Sequence, residues 1–192
     1  MRMHRRSLLA SLLLLPVLAA WTATAEAQSP TVVILARHAE KVVPNPPDGD
    51  PDLTDAGRAR AAALAEALRN AGVDAVITTQ FKRTRFTGQP AAEQAGVTPE
   101  VVSTSGAQGH VAAVADAVRR HAGHTVLVVG HSNTVPAIVA ALGGPRLPDI
   151  CDSQYADLFT LILEPGKAPV LVRSTYGVAS PAPGPECAPT SR

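Results

Sequence analysis

The sequence has few cysteines, few aromatic residues and almost no excess charge. Its 192 residues include two cysteines and one tryptophan, and aromatic residues make up 3% of the chain, which carries a formal net charge of +1. Neither cysteine has metal-ligand spacing to a histidine, so no zinc site is expected. The near-neutral charge gives no electrostatic basis for binding nucleic acid or an anionic membrane surface. No feature specifies an oligomeric state.

Residues 1–27 are typical of a signal peptide. An arginine-rich start precedes a leucine-rich run that is broken by Pro16 and is too short for a membrane span. Ala25-Glu26-Ala27 supplies the small residues at which a signal peptidase cuts. We therefore expect a periplasmic or secreted protein with no stable membrane insertion after cleavage.

The export route stays open, because Arg5-Arg6-Ser7 resembles a twin-arginine signal and paired arginines are also common in ordinary secretory (Sec) signals. No cysteine lies near the cleavage point, which argues against a lipid anchor. Cleavage after Ala27 would change the formal charge from +1 to −1 and would remove Trp21, the single tryptophan.

Export also bears on the two cysteines. In an oxidising compartment the pair Cys151 and Cys187 is expected to form a disulfide that ties the C-terminal tail to the segment before Tyr155. The alternative is two free thiols.

Apolar runs alternate with amphipathic segments after residue 28. The pattern predicts strands at 31–36, 74–78, 101–103 and 125–129, a final hairpin at 158–164 and 169–175, and helices at 54–71, from 87 or 90 to 94, at 110–121 and at 134–142. On the first of these helices the predicted exposed residues include Arg58, Arg60, Glu66 and Arg69. This order predicts an α/β protein, a three-layer α/β/α sandwich with a mostly parallel mixed central sheet. One domain is expected at 28–179, followed by a Pro-rich C-terminal tail at 180–192.

Ionisable residues follow three of the predicted strands. Arg37-His38 ends the first, Lys82-Arg83-Thr84-Arg85 follows the second, and Gly130-His131 ends the fourth. Each has an ordinary explanation, since a single histidine is often structural and a basic run is often a solvated surface. However, parallel strands bring their carboxyl ends to one edge of the sheet, where α/β proteins bind ligands. Histidines and arginines without clustered carboxylates predict an anion site, with phosphate as the expected ligand.

A histidine in such a pocket can also act as a nucleophile. Neutral imidazole attacks phosphorus, and arginines around the equatorial oxygens neutralise the charge that moves in the transition state. The helix that begins near Thr134 would direct its free N–H groups at the same ligand. We expect no cofactor and no metal, because the arginines supply the positive charge.

The motifs resemble the histidine phosphatase superfamily, which has the phosphoglycerate mutase-like fold. Arg37-His38 is similar to its Arg-His-Gly signature, in the RHAEK form of a small exported branch, with Ala39 in place of glycine. Leu53-Thr54-Asp55-Ala56-Gly57 is similar to its Leu-Thr-x-x-Gly element, and Gly130-His131-Ser132-Asn133 to its Gly-His-x-Asn element. The segment from Thr79 to Thr87 is similar to the part that carries a second phosphate-binding arginine.

This resemblance implies roles for individual residues. His38 would become phosphohistidine, and Arg37, Arg83 and His131 would hold the phosphoryl group. Asn133 and Arg85 would contact phosphate secondarily, with Arg83 preferred over Arg85 because it lies four residues before Thr87.

The proton donor for the leaving oxygen is not assigned by the motifs. Many family members carry a carboxylate in the loop after the third strand, but residues 103–109 contain none. The two candidates are His110 and Glu40, although Glu40 has a second interpretation as an ion-pair partner of Arg37 or Lys41. A leaving group that needs little protonation is the third alternative.

The resulting hypothesis is an exported, metal-independent phosphatase of the histidine acid type. Its partner would be a small phosphorylated substrate or phosphate. A mutase is less favoured because of the signal peptide, and a phosphohistidine-protein phosphatase because its usual phosphoproteins are cytosolic. The alternative from another class is a catalytically weak phosphate- or phosphosugar-binding module on the same fold, which the missing carboxylate supports.

Overall fold

Six strands form one mixed sheet in the computed structural model of the chain. The strands are β1 (Thr31–Arg37), β2 (Val73–Thr78), β3 (Glu100–Val101), β4 (Thr125–Gly130), β5 (Asp157–Leu163) and β6 (Val170–Thr175). The helices are α1 (Asp55–Ala67), α2 (Lys82–Ala95), α3 (Ala107–Arg120) and α4 (Thr134–Ala141). The structure describes residues 29–44, 46–47, 49–104, 107–182, 184 and 187, so the predicted signal peptide and much of the predicted tail lie outside it.

The strand order is β3-β2-β4-β1-β5-β6. Strands β3, β2, β4 and β1 run parallel to one another, whereas β5 and β6 are an antiparallel hairpin at the β1 side. The predicted mostly parallel, mixed sheet is therefore confirmed. The parallel arrangement brings the carboxyl ends of β1, β2 and β4 to one edge.

Both faces of the sheet are covered by helices, as expected for strands with continuous apolar runs. In β1, Val33 and Leu35 pack with α3 and α4, while Ile34 and Ala36 pack with α1 and α2. The two apolar clusters lie on opposite faces because successive side chains of a strand alternate. This confirms the predicted α/β/α sandwich.

Helix α2 begins earlier than predicted. The sequence predicts a start at Thr87 or Pro90, after a basic turn. In the structure the basic run itself forms the first turn, with Arg85 N bonded to Phe81 O at 3.1 Å, and Pro90 lies inside the helix. The inner face of α2 packs against the sheet through small buried residues, and this packing offsets the helical hydrogen bond that Pro90 cannot donate. The buried residues are Thr84, Thr87, Gly88, Ala91 and Ala92.

Other boundaries differ by a few residues. Helix α1 ends at Ala67, and turns continue from there to Gly72, which adopts a φ of 64°. Strand β3 has only two residues, and α3 begins at Ala107 rather than at His110. Among the described residues, no helix is long and apolar enough to cross a membrane.

Cys151 and Cys187 form a disulfide, with their Cα atoms 5.3 Å apart. The predicted pairing is confirmed. It connects the segment between α4 and β5 to the C-terminal part of the chain.

Candidate active site

The ends of β1 and β4 lie side by side, and each is followed by a histidine. Arg37 pairs with Gly130 in the sheet register, and His38 N donates to Gly130 O at 2.9 Å. The rings of His38 and His131 are consequently 5.4 Å apart between centroids, in an edge-on arrangement. The convergence predicted from the strand ends is what the sheet produces.

The His38 ring is held in one tautomer. Its Nδ1 lies 2.8 Å from the carbonyl oxygen of Ala39, and because a carbonyl can only accept, Nδ1 carries the proton. The neutral ring therefore keeps its lone pair on Nε2. Burial lowers the pKa of His38 from 6.5 to about 4; the hydrogen bond to Ala39 opposes this shift, and the charges of Arg37, Arg83 and Lys41 add to it. A neutral ring with a free Nε2 is the form that a nucleophile requires.

The two residues after His38 are bonded to both helices of their face. Ala39 N donates to Thr87 Oγ1 at 2.9 Å, and Thr54 N donates to Glu40 O at 2.9 Å. Thr54 also caps α1, since its Oγ1 accepts from Gly57 N at 3.0 Å. A Cβ at Gly57 would lie 2.2 Å from Glu40 O, so only glycine lets α1 begin this close. The Leu-Thr-x-x-Gly element thus fixes the backbone that carries His38.

Glu40 does not face the pocket. Its carboxylate accepts from Arg60 Nε at 2.9 and 3.0 Å and from Arg60 Nη2 at 2.8 Å. Two expectations are corrected here. Arg60, predicted to be exposed on α1, is buried at 7% exposure, and Glu40 is paired with Arg60 rather than with Arg37 or Lys41. Arg60 is buried because the chain near Tyr176 covers this face of α1, and its Nη1 donates to Tyr176 O and Val178 O. The helical periodicity of α1 alone does not reveal this contact.

Arg83 points into the pocket from the first turn of α2. Its guanidinium carbon lies 4.2 Å from the centroid of the Phe81 ring, and Asp50 Oδ1 is 3.9 Å from Nη1. Burial lowers the pKa of Arg83 below its ordinary value while Asp50 raises it, and the side chain stays charged at neutral pH.

Arg85 lies outside the pocket. It is exposed on α2 and lines a separate depression with Gln80, Gln89 and Glu93. The structure therefore does not place it as the secondary phosphate contact that the sequence suggested. The side chains of Arg83 and Arg85 point in different directions because residues two positions apart on a helix lie on different faces.

His131 is held by threonines. Its Nε2 lies 3.3 Å from Thr79 Oγ1, which is 2.8 Å from Thr84 Oγ1, and its backbone N donates to Thr134 Oγ1 at 2.9 Å. Burial lowers the pKa of His131 from 6.5 to about 3, and the charges of Arg83, His38, His110 and Arg37 lower it further. Asn133, at the start of α4, lines the pocket and is exposed.

Arg37 is surrounded by the segment that follows Ile150. Its Nη1 donates to the carbonyls of Cys151, Asp152 and Gln154 at 2.8, 3.0 and 3.2 Å. Its Nη2 donates to Asp152 Oδ1 at 3.1 Å, and the guanidinium carbon lies 4.3 Å from the Tyr155 ring centroid. The buried Nε has no hydrogen-bond partner among the residues that the structure describes. These contacts fix the guanidinium at the wall of the pocket.

His110 also reaches the pocket, from α3. It is 2% exposed, and its Nδ1 lies 3.2 Å from the carbonyl oxygen of Ser103. Of the two proton-donor candidates from the sequence, His110 lines the pocket and Glu40 does not.

The pocket formed by these residues has a volume of about 390 Å³. Its ionisable lining residues are Arg37, His38, Lys41, Arg83, His110, His131 and Asp152. Three cations outnumber one carboxylate, so the pocket is suited to an anion. In the described part of the chain, no group of three or more histidine, cysteine or acidic side chains is arranged to hold a metal ion.

The comparisons with known proteins agree with this geometry. Residues 33–104 match the family model of the histidine phosphatase superfamily (branch 1). Over these residues the chain is similar to the histidine phosphatase superfamily. The match includes the Arg37-His38 signature, the Leu-Thr-x-x-Gly element and the segment with Arg83. No curated protein gives a significant match to the chain.

Solved structures extend the likeness over most of the chain. SixA, a protein histidine phosphatase solved with tungstate, has a TM-score of 0.60 at 19% identity, over 75% of this chain and 96% of SixA. A mycobacterial glucosyl-3-phosphoglycerate phosphatase has a TM-score of 0.56 at 16% identity, over 77% of this chain and 100% of that protein. A phosphoserine phosphatase from Entamoeba histolytica, solved with 3-phosphoglyceric acid, has a TM-score of 0.54 at 15% identity, over 77% of this chain and 98% of that protein. At these identities the likeness shows the histidine phosphatase fold.

Two ionisable residues of the pocket had no predicted role in the site. Asp152 comes from the irregular segment between α4 and β5, where no sequence pattern distinguished it from other loop carboxylates. Lys41 was noted beside the nucleophile but had no explanation, and it lines the pocket. The disulfide prediction was the one signal that drew attention to the segment containing Asp152.

Proposed function

We propose that this chain is an exported phosphatase of the histidine acid type, which hydrolyses phosphomonoesters through a phosphohistidine on His38 without a metal. The observation that carries the proposal is the fixed tautomer of His38. Its Nδ1 proton is donated to Ala39 O, so Nε2 has its lone pair inside a pocket that also presents Arg37, Arg83 and His131. The family match and the phosphatase structures with this fold support the same activity.

In the first step, Nε2 of His38 attacks phosphorus and the bond to the ester oxygen breaks. Arg37 and Arg83 bind the equatorial oxygens, where their charge offsets the negative charge that moves in the transition state. In the second step, water attacks the phosphohistidine, phosphate leaves and Nε2 regains its lone pair. The hydrogen bond from Nδ1 to Ala39 O keeps the ring in the same orientation in both steps.

The low pKa of His131 suits a ring that is neutral in the empty pocket and gains a proton when the substrate binds. Burial and the neighbouring cations keep the ring neutral while the pocket holds no anion. A bound phosphoryl group brings negative charge, which favours a proton on His131 and so an additional donor to phosphate.

The test uses protein recovered after export, an activated aryl phosphate and EDTA. Wild type should turn over, His38→Ala should not, and His124→Ala should match wild type because His124 is an exposed residue paired with Asp74. Rapid quenching with a radiolabelled substrate should trap an acid-labile, alkali-stable phosphoprotein in wild type only, and vanadate should inhibit. Absence of turnover in wild type, with phosphate still bound, would identify the phosphate- or phosphosugar-binding module instead.

Export is tested independently of catalysis. Trp21 is the single tryptophan and lies in the predicted signal peptide. The exported protein should therefore show no tryptophan emission, whereas emission would mean that the N-terminal segment is retained.

A further inference from the structure

The leaving oxygen of a phosphomonoester needs a proton, and the sequence offers no carboxylate in the usual loop. Residues 103–109 contain no acidic residue. Glu40 is bound to Arg60 outside the pocket. A carboxylate donor must therefore come from another part of the pocket wall.

We propose that Asp152 is the proton donor of the reaction, an inference that rests on the proposed phosphatase activity. Among the described residues, Asp152 is the carboxylate that lines the pocket, and its side chain is 93% exposed. It reaches the pocket from the segment between α4 and β5, not from the loop after β3.

The direction of attack favours a donor at the mouth of the pocket. In an in-line displacement the leaving oxygen lies on the side of phosphorus opposite to the nucleophile. His38 is 4% exposed and so lies at the floor, which directs the leaving group toward solvent. A donor to that oxygen has to be accessible from solvent, which fits the Asp152 side chain at 93% exposure better than His110 at 2% exposure.

Arg37 holds Asp152 beside the position of the phosphoryl group. Its Nη2 donates to Asp152 Oδ1, and its Nη1 donates to the carbonyls of the same segment. The backbone of this segment is also bonded to the β4 side of the pocket, where Ile150 N donates to Ser132 O at 2.9 Å, and Cys151 is in the disulfide. These contacts place the carboxyl group of Asp152 next to the Arg37 guanidinium.

Substrate binding supplies the reason for Asp152 to take a proton. When a phosphoryl group bonds to Arg37, it takes up part of the positive charge that stabilises the carboxylate and places negative charge beside it. Negative charge placed beside a carboxylate favours its protonated form. The other charged or titratable groups around the pocket are His38 and Lys41 after β1, Arg83 on α2, His110 on α3 and His131 after β4.

The proton balance closes over the two steps. As the bond from His38 Nε2 to phosphorus forms and the ester bond breaks, the Asp152 carboxyl proton moves to the leaving oxygen, which departs as an alcohol. The resulting carboxylate then accepts a proton from the water that attacks the phosphohistidine. Asp152 is again protonated when phosphate leaves, and exchange with solvent resets the pocket.

The experiment compares leaving groups of graded acidity. Wild type, Asp152→Asn, Asp152→Glu and His110→Gln are assayed on a series from activated aryl phosphates to alkyl phosphates, with Asp149→Asn as a matched control. Asp149 is an exposed acid in the same segment that does not line the pocket. Binding of inorganic phosphate is measured for each variant by calorimetry.

We expect Asp152→Asn to lower kcat/KM for alkyl phosphates by about 10²- to 10⁴-fold, and the loss to shrink as the leaving group becomes more acidic. Asp152→Glu should recover part of the alkyl activity, and Asp149→Asn should match wild type. Phosphate binding by Asp152→Asn should be equal to wild type or tighter, since a competing anion is removed from Arg37.

Three results would overturn the assignment. An equal loss on all substrates with weaker phosphate binding would mean that Asp152 only positions Arg37. A leaving-group dependence in His110→Gln alone would assign the donor to His110. Equal activity of wild type and Asp152→Asn on alkyl phosphates would mean that the protein is a phosphatase and that Asp152 is not its proton donor. An inactive wild type would instead contradict the proposed phosphatase activity.

Discussion

Glu40 and Arg60 form an ion pair outside the pocket, with the Arg60 side chain 6% exposed and the Glu40 side chain 23% exposed. The pair ties the backbone after His38 to α1 and, through Arg60, to the carbonyls of Tyr176 and Val178. We therefore expect Glu40 to contribute to stability and to the orientation of His38 rather than to protonation of the leaving group.

Replacing Glu40 by glutamine should destabilise the protein strongly, because the buried charge of Arg60 would lose its partner. We expect a loss of about 3 kcal/mol in the free energy of unfolding, measured by denaturant titration. Glu66→Gln removes an exposed partner of Arg69 and should cost less than about 1 kcal/mol. If Glu40→Gln were as stable as wild type but inactive on poor leaving groups only, Glu40 would be a proton donor after all.

Arg83 and Arg85 should differ sharply, although they are two residues apart on α2. Arg83→Ala should weaken phosphate binding by about 10- to 100-fold, because it removes charge-assisted hydrogen bonds inside the pocket. Arg85→Ala should bind phosphate like wild type, since Arg85 lines a separate depression. Calorimetric titration of both variants with phosphate checks the prediction, and equal losses would contradict the placement of α2.

Stability should fall in acid. The pKa values of His38 and His131 are lowered in the folded state to about 4 and about 3, so the unfolded chain binds more protons below pH 6.5. Unfolding is then favoured as pH falls from 6.5 toward these values, by up to about 1.4 kcal/mol per pH unit for each histidine.

The measurement is the free energy of unfolding at pH 7 and pH 4.5 for wild type and His131→Gln. The variant should lose less stability between the two values, because it lacks one of the groups that titrate. His124→Gln, which changes an exposed histidine, should follow the wild-type curve. The same pH slope in wild type and His131→Gln would show that His131 is not held neutral.

Removing the disulfide should affect both stability and phosphate binding. A bond that closes a sequence separation of 36 residues stabilises by about 4 kcal/mol in the chain-entropy description. The double variant Cys151→Ser and Cys187→Ser should unfold at a lower denaturant concentration by that amount. It should also bind phosphate more weakly, since the backbone of Cys151 accepts from Arg37. Unchanged phosphate affinity would show that the segment keeps its position without the bond.

The sequence predicted the sheet and the residues at its strand ends because both follow from local patterns. Residues 32–36 of β1 and 126–129 of β4 are all apolar, which indicates burial on both faces, and His38 and His131 directly follow the two strands. The family motifs then identified Arg83 by its distance from Thr87. In the structure Thr87 has a physical role, because its hydroxyl accepts from Ala39 N and donates to Arg83 O at 2.7 Å.

The features that escaped prediction depend on contacts between distant segments. Arg60 is buried because the chain beyond β6 covers it, and no pattern within α1 reports that contact. Asp152 enters the pocket because Arg37, more than a hundred residues earlier, bonds to its carbonyl and carboxylate. Helix α2 begins earlier than predicted because its inner face of small residues packs on β2 and β4. The local sequence around Thr87 and Pro90 does not reveal that contact.

The position of β1 has a consequence for how the protein acquires its activity. It is the first strand in the chain, yet its neighbours in the sheet are β4 and β5, which begin at Thr125 and Asp157. During synthesis, therefore, most of the polypeptide has to be made before the segment that ends in His38 has either of its partner strands. The region matched by the family model, residues 33–104, holds β1 and β2 without the strand that separates them. A chain that stops there would carry the signature of the nucleophile without a fold able to orient it.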